Sequence, residues 1–177
     1  LVVILNVGGV IDVSAWRNDA DAILLAWQGG QEAGNAVADI LSGKVNPSGK
    51  LTTTFPLRYE DEPTAKNFPG KNLSDIEEKG VGGLAMGFDS EVVYEEGIYV
   101  GYRYYKTFNT PVAYPFGYGM SYTNFRYDNL RVSQPDETGS VNISIDITNI
   151  GNKPGKEVVQ LYLHAPSVKL AKPAEEL

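Results

Sequence analysis

Leu1–Val7 (LVVILNV) is an apolar run of strand length that closes on Gly8-Gly9. A half-exposed strand alternates polar and apolar residues, so an unbroken run reads as a strand buried on both faces. Ala22–Trp27 is a second run of the same kind, followed by Gly29-Gly30. Helical patterns accompany both. Asp12–Asn18 fits a short helix anchored by Trp16. Downstream, Ala33, Val37, Ile40 and Leu41 recur at helical spacing, with Gly43 where a C-cap glycine belongs. Gly34 inside that second helix costs about 1 kcal/mol against alanine, which predicts a neighbour packed close on its backbone. Asn46–Gly49 then reads as a turn and Lys50–Phe55 as a third strand. Unbroken strands separated by helices predict a parallel sheet covered on both faces.

The pattern changes after residue 56. Residues 56–93 carry three prolines, Gly70 and a glycine-rich stretch at Val81–Phe88, and predict a long loop or linker. Nine of the eleven tyrosines then fall between Tyr94 and Tyr127. Ile98, Tyr102 and Tyr105 recur at helical spacing, which predicts a helix over Glu95–Phe108. In the last third, Val141, Ile143, Ile145 and Ile147 alternate with polar residues, and Val159, Leu161 and Leu163 repeat the alternation. With the intervening Gly151–Gly155 loop they predict an antiparallel hairpin. Arg126–Ser133 is an earlier strand, set off by Pro135–Gly139. Three short strands at this spacing open a β-sandwich, which uses about seven. A sheet beginning at residue 1 and a sandwich of three strands predict that these 177 residues are part of something longer.

Composition narrows the chemistry. Fifteen Lys and Arg against 22 Asp and Glu give a net charge of −7, which disfavours phosphate-backbone binding and hence a nucleic-acid partner. Cysteine is absent and there is one histidine, so a disulfide framework, a thiol nucleophile and a His-based metal site are all disfavoured. No run approaches the roughly 20 apolar residues of a membrane span, and no signal-peptide pattern occurs. Gly8-Gly9 after a strand does not match the dinucleotide or P-loop fingerprints. A compact chain of this mass is expected to bury roughly 70% of its unfolded surface.

The remaining candidates are carboxylates, His164, Arg103 and the tyrosines. Glu60–Glu62 and Glu77-Glu78 read as solvated clusters, His164 as a rim residue, and Glu95-Glu96 as acidic residues at a helix start that complement its dipole. Arg103 has a carboxylate or an aromatic ring as its natural partner. The stripe Tyr94–Tyr127 reads first as a seam between structural units, with an aromatic wall for sugars or peptides as the alternative.

Four long segments resemble the C-terminal part of glycoside hydrolase family 3 enzymes, most often β-glucosidases. They are LNVGGVIDVSAW (Leu5–Trp16), Ala20–Pro56 with its WQGGQEAGNAVADILSGKVNPSGKL core, YEEGIYVGYRYY (Tyr94–Tyr105) and PFGYGMSYTNFRYDNL (Pro115–Leu130). The resemblance implies that residues 1–58 form the C-terminal part of an α/β sandwich. Residues 59–122 would be a loop, a tyrosine-rich helix and a linker. Residues 123–177 would begin an immunoglobulin-like, fibronectin type III-like sandwich.

The resemblance also implies a retaining mechanism whose Asp nucleophile lies in a barrel and whose Glu acid/base lies in a GEGxDR-like stretch upstream of Leu1. Neither segment is in this sequence, and Glu32 in GQEAGN does not replace them. The expectations are therefore no catalytic, cofactor or metal residue in this chain, and a scaffold role. The partner is the remainder of the same enzyme, either as one chain or as a separate one. Terminal β-D-glucosides or oligosaccharides are the expected substrates. Within the family the alternative is a xylosidase or another exo-glycosidase. Outside it, a non-catalytic carbohydrate-binding or adhesion module is the alternative.

Overall fold

The computed structural model describes residues 1–79 and 85–177, and the side chains of all of these except 74–79, 85, 86 and 88. Strands β1 (Val2–Leu5) and β2 (Ala22–Leu25) pair in parallel, with Val2 opposite Ala22 and Leu5 opposite Leu25. The Asp12–Asn18 stretch that joins them is a turn closed by hydrogen bonds to the Val13 carbonyl, ending in one turn of 3₁₀ helix, Arg17–Asp19. The expected short α-helix does not form there. The side chain of Asp12 takes the Ser14 N–H, a local bond that competes with helical backbone pairing.

Helix α1 spans Ala33–Leu41 and stops as expected. Ser42 is its C-cap, and Gly43 follows with φ +73, the left-handed conformation that glycine adopts without steric cost. The expectation for Gly34 fails, because a Cβ there would meet open space.

Lys50–Phe55 does not become a third parallel strand. Only Phe55–Pro56 is extended (β3), and it pairs antiparallel with Val112–Tyr114. Pro56 has no N–H to donate, so the ladder is short. The core runs through this junction. Leu5, Val13, Phe55 and Ala113 are buried together, and Val3, Ile11, Trp16, Ile23, Leu51 and Tyr114 pack around them. The Arg17 guanidinium reinforces it, donating to the Ala113 carbonyl at 2.6 Å and lying 5.5 Å from the Tyr114 ring centre.

Two expectations for the middle of the chain are corrected. Residues 56–93 contain an antiparallel pair, β4 (Lys71–Lys79) and β5 (Ala85–Glu91), interrupted by register shifts. Its polar, irregular sequence lacks the alternation that announces a strand. The Glu95–Phe108 helix shrinks to α2, Tyr102–Thr107. Gly97 and Gly101 take φ of +57 and +58, and a helix cannot pass through that conformation. Glu95 and Glu96 therefore sit outside the helix, and Glu95 pairs instead with Lys66 at 2.7 Å. That pairing holds the Glu95 carboxyl below its ordinary pKa. β6 is Val112–Tyr114, the partner of β3.

In the last third, β7 (Phe125–Val132) and β8 (Ile143–Asn149) are antiparallel. Their connection is closed by Asp136, whose carboxylate accepts the N–H groups of Thr138 and Ser140 at 2.8 and 2.9 Å. The expected pairing of Ile143–Ile147 with Val159–Leu163 is absent. β8 pairs with β7, and Leu163 bridges Glu176 instead. The described elements are thus small two-stranded sheets with few helices.

A polar seam joins the end of α1 and the segment after it to residues 119–122, just before β7, and to Pro154 and Glu157. Asn46 accepts from Ser121 Oγ and the Tyr122 N–H, and donates to the Pro154 carbonyl at 2.9 Å. Tyr122 Oη donates to the Ile40 carbonyl in the last turn of α1. Lys50 donates to the Gly119 carbonyl and meets Glu157 at 3.4 Å, with both side chains about 15% exposed. Gly119 is required here, since a Cβ would lie 2.5 Å from the Gly49 carbonyl oxygen.

The accessible surface is 12967 Å². A compact monomer of this mass exposes roughly 8,500 Å², so the chain buries only about 54% of its unfolded surface, against the roughly 70% expected. Val2, Ile4, Leu161, Leu163 and Leu170 are among the large apolar side chains left exposed.

Candidate functional site

Parallel pairing sends the chain out of β1 and β2 on the same side, and ligands in open parallel sheets collect outside the carboxyl ends of the strands. Here those ends frame an open cleft of about 500 Å³, lined by Gly8, Gly9, Val10, Trp27, Thr52 and Thr53. The ladder continues one step past β2, with the Ala26 N–H bonded to the Leu5 carbonyl at 2.9 Å. The next residue, Trp27, turns to φ +52. A left-handed conformation in a bulky residue costs on the order of 1–3 kcal/mol and persists only where the surroundings impose it. Thr52 and Thr53 arrive from the segment held by the Leu51 N–H···Tyr118 carbonyl bond. Among the described residues no charged side chain lines the cleft.

A second, smaller cavity of about 70 Å³ lies in the tyrosine region, with Thr54, Tyr102, Tyr105, Lys106, Phe116, Tyr162 and Glu175 among its lining residues. Tyr102 packs on Phe116 and Tyr162 at ring distances of 4.9 and 5.7 Å. Its hydroxyl accepts the Leu177 N–H. Lys106 meets Glu175, and Arg103 meets Glu176, each at 3.3 Å. Arg103 also lies over the Tyr102 ring, so both expected partners are present. These contacts join α2 to residues 174–177. Tyr94 takes no part in them and is 79% exposed.

Tyr105 is the buried centre of this region. Its hydroxyl donates to Glu62 at 2.8 Å. Burial first, and then the Glu62 carboxylate, push its pKa far above the ordinary tyrosine value. Glu62 is therefore part of a packed contact rather than a solvated cluster. A raised folded-state pKa contributes stability that is fully present below the unfolded value of about 10 and is lost as pH rises above it. Urea midpoints of the native protein are expected to fall between pH 9 and about 11, and to fall less steeply in Tyr105→Phe. Equal slopes would show that Tyr105 does not titrate on unfolding.

The other candidates are dispersed. Glu32 occupies the N-cap position of α1 and accepts from the Asn35 side chain. His164 is exposed at the rim, its ring nitrogen against the Ala174 carbonyl. The Glu77-Glu78 side chains lie outside those described. Among the described residues no group of three or more His, Asp or Glu side chains could hold a metal, and no helix is long and apolar enough to cross a membrane. Trp27, Thr52 and Thr53 were not legible as site residues, because Trp27 reads simply as the end of an apolar run. The one available signal is Gly8-Gly9 directly after an apolar run of strand length.

Residues 1–102 match the model of the glycosyl hydrolase family 3 C-terminal domain. Beta-glucosidase A of Butyrivibrio fibrisolvens is 44% identical over the whole of this chain, which covers 21% of that protein. Thermostable beta-glucosidase B of Acetivibrio thermocellus is 38% identical, with the same coverage of each. Among solved structures, beta-glucosidase 3B of Thermotoga neapolitana in complex with glucose superposes with a TM-score of 0.85 at 47% identity, over 99% of this chain and 22% of that one. The GH3 beta-glucosidase of Bifidobacterium adolescentis gives 0.84 at 36%, over 99% and 23%. The chain thus spans about a fifth of the length of the relatives it matches. The agreement in sequence and in backbone, sustained from one end of these residues to the other, makes this chain a member of glycosyl hydrolase family 3, drawn from the C-terminal part of such an enzyme.

Proposed function

We propose that these residues are the scaffold of a retaining β-glucosidase that removes terminal, non-reducing β-D-glucosyl units. The supporting observation is likeness over essentially the full chain to enzymes named as β-glucosidases, one of them solved with glucose bound. Residues 1–58, with parallel β1 and β2 and helix α1, are then the last part of an α/β sandwich. Residues 123–177, with β7 and β8, begin a fibronectin type III-like sandwich, and residues 59–122 connect the two. The excess of exposed surface, roughly 4,500 Å² over a compact monomer, exceeds the roughly 1,000–2,500 Å² per partner that permanent interfaces commonly bury. The remainder of the enzyme would cover it.

Retaining hydrolysis uses two carboxyl groups about 5–5.5 Å apart across the scissile bond. One attacks the anomeric carbon while the other protonates the leaving oxygen, then draws a proton from the incoming water. Many carboxylates here are already engaged. Glu157 is held by Lys50 and Tyr127, Glu62 by Tyr105, Glu95 by Lys66, and Asp136 by its own turn. In this reading both catalytic groups come from segments outside these residues, and this chain's contribution is to fix the layers around them. Hydrolysis of an aryl β-glucoside by the longer enzyme, with the product anomer followed by proton NMR, tests the proposal. β-Glucose as the first product is expected. No hydrolysis, or α-glucose first, would overturn it.

A further inference from the structure

We propose that Glu157 is a positioning residue for the cleft at the carboxyl ends of β1 and β2, acting through Lys50 to hold the cleft edge formed by Thr52 and Thr53. The kinetic consequence rests on the glycosidase reading above. Among the described residues the cleft lining comes from positions 8–10, 27, 52 and 53, so residues 123–177 act on it only at a distance.

Lys50 stands two positions before Thr52. Its ammonium donates to the Gly119 carbonyl at 2.9 Å and meets one Glu157 carboxylate oxygen at 3.4 Å. The other Glu157 oxygen accepts the Tyr127 hydroxyl, from β7, at 3.0 Å. Both members of the ion pair are mostly withdrawn from water, so salt screens them weakly. Removing one member leaves the other buried and uncompensated, which is strongly unfavourable. Without Glu157, the Lys50 ammonium gains by moving toward solvent, and its backbone is drawn with it.

Close packing makes the cleft edge follow Lys50. The Leu51 N–H donates to the Tyr118 carbonyl at 2.8 Å, and the Gly117 N–H donates to the Leu51 carbonyl at 2.7 Å. A Cβ at Gly117 would lie 2.2 Å from the Gln160 side chain, and one at Gly119 would lie 2.5 Å from the Gly49 carbonyl oxygen. Residues 117–119 are thus wedged between Gln160 and the segment 49–51. Leu51 also packs on the core of Leu5, Val13, Phe55 and Ala113. The segment is held by that core on one side and by Lys50 on the other, and Thr52 and Thr53 emerge from it into the cleft. Tyr122 supplies the comparison for a purely cohesive role. Its hydroxyl crosses the same seam, but to the Ile40 carbonyl in α1 rather than to residues 50–53.

The test uses the full-length enzyme that carries these residues. Glu157→Gln removes the charge and keeps an acceptor for Tyr127, and Lys50→Met keeps the stem without the ammonium. Each is expected to raise KM for an aryl β-glucoside by about fivefold, equivalent to one net hydrogen bond, with kcat within about twofold of the native value. That split follows because a displaced edge loses binding that substrate and transition state share. In the double variant the Glu157→Gln increment should vanish, since it acts only through Lys50. Tyr122→Phe should weaken the seam and leave KM unchanged. Amide hydrogen exchange at residues 51–53 reads the displacement without turnover, and should be faster in both single variants and unchanged in Tyr122→Phe. An unchanged KM in Glu157→Gln, additive effects in the double variant, or an equal rise in Tyr122→Phe would overturn the proposal. If Lys50→Met does not fold, the contrast between Glu157→Gln and Tyr122→Phe decides it. Absence of turnover in the unsubstituted enzyme defeats the glycosidase reading, and exchange at residues 51–53 then decides the positioning role on its own.

Discussion

Phe55→Ala is expected to lower the opening free energy of the N-terminal core by about 3–5 kcal/mol, the range for truncating a buried aromatic side chain. Phe55 is 2% exposed and packs with Leu5, Val13 and Ala113, its ring edge-on to Tyr114 at 6.2 Å. It joins β1 to β6, so the loss should spread. Amide hydrogen exchange, which reads local opening within a larger protein, should show faster exchange at residues 2–5, 22–25 and 112–114 together. Phe55→Leu keeps most of the volume and should cost under about 1.5 kcal/mol. A change confined to residues next to position 55 would mean that β6 is not part of this core.

Tyr105→Ala is expected to have an effect of comparable size in a different place. Tyr105 is 4% exposed, stacks edge-on to Tyr104 at 5.3 Å, and donates to Glu62. Truncation removes the ring, worth about 3–5 kcal/mol, and leaves the Glu62 carboxylate without its donor. Tyr105→Phe separates the two losses, because only the hydrogen bond goes; bonds to charged groups contribute about 1.5–3 kcal/mol. Exchange at residues 102–110 and 174–177 should accelerate most, following the contacts that Lys106, Arg103 and Thr107 make with Glu175, Glu176 and the Ala174 N–H. Unchanged protection at 174–177 would contradict the view of the tyrosine region as a seam.

Local pattern made some elements legible and hid others. The strands β1 and β2 announced themselves as unbroken apolar runs, and α1 as a periodic stretch ending at Gly43. The β3–β6 pair was hidden because it joins residues more than fifty positions apart, and neither segment is long enough to show a period. The helix over Glu95–Phe108 failed for a local reason: the spacing of Ile98, Tyr102 and Tyr105 outweighed Gly97 and Gly101, which set the true start. In the last third the alternation identified β8 but not its partner. Any alternating strand can pair with any other, and the Asp136 turn decided for β7. Glu62 reads as solvated in the sequence because its partner, Tyr105, is distant along the chain. The cleft residues Trp27, Thr52 and Thr53 carry no spacing signature at all, since they converge only when the strand ends are brought together.

The central claim is that these residues build the surroundings of a glycosidase site whose reacting carboxyl groups lie elsewhere in the enzyme. General acid–base assistance alone gives about 10²–10⁴-fold, and glycoside cleavage needs an oriented nucleophile as well. The most direct measurement compares turnover of an aryl β-D-glucoside by the homogeneous 177-residue chain with turnover by the full-length enzyme containing the same residues. The account predicts activity in the full-length enzyme and none above background in the chain alone. Turnover by the isolated chain, abolished by a single carboxylate substitution such as Glu32→Gln, would contradict it.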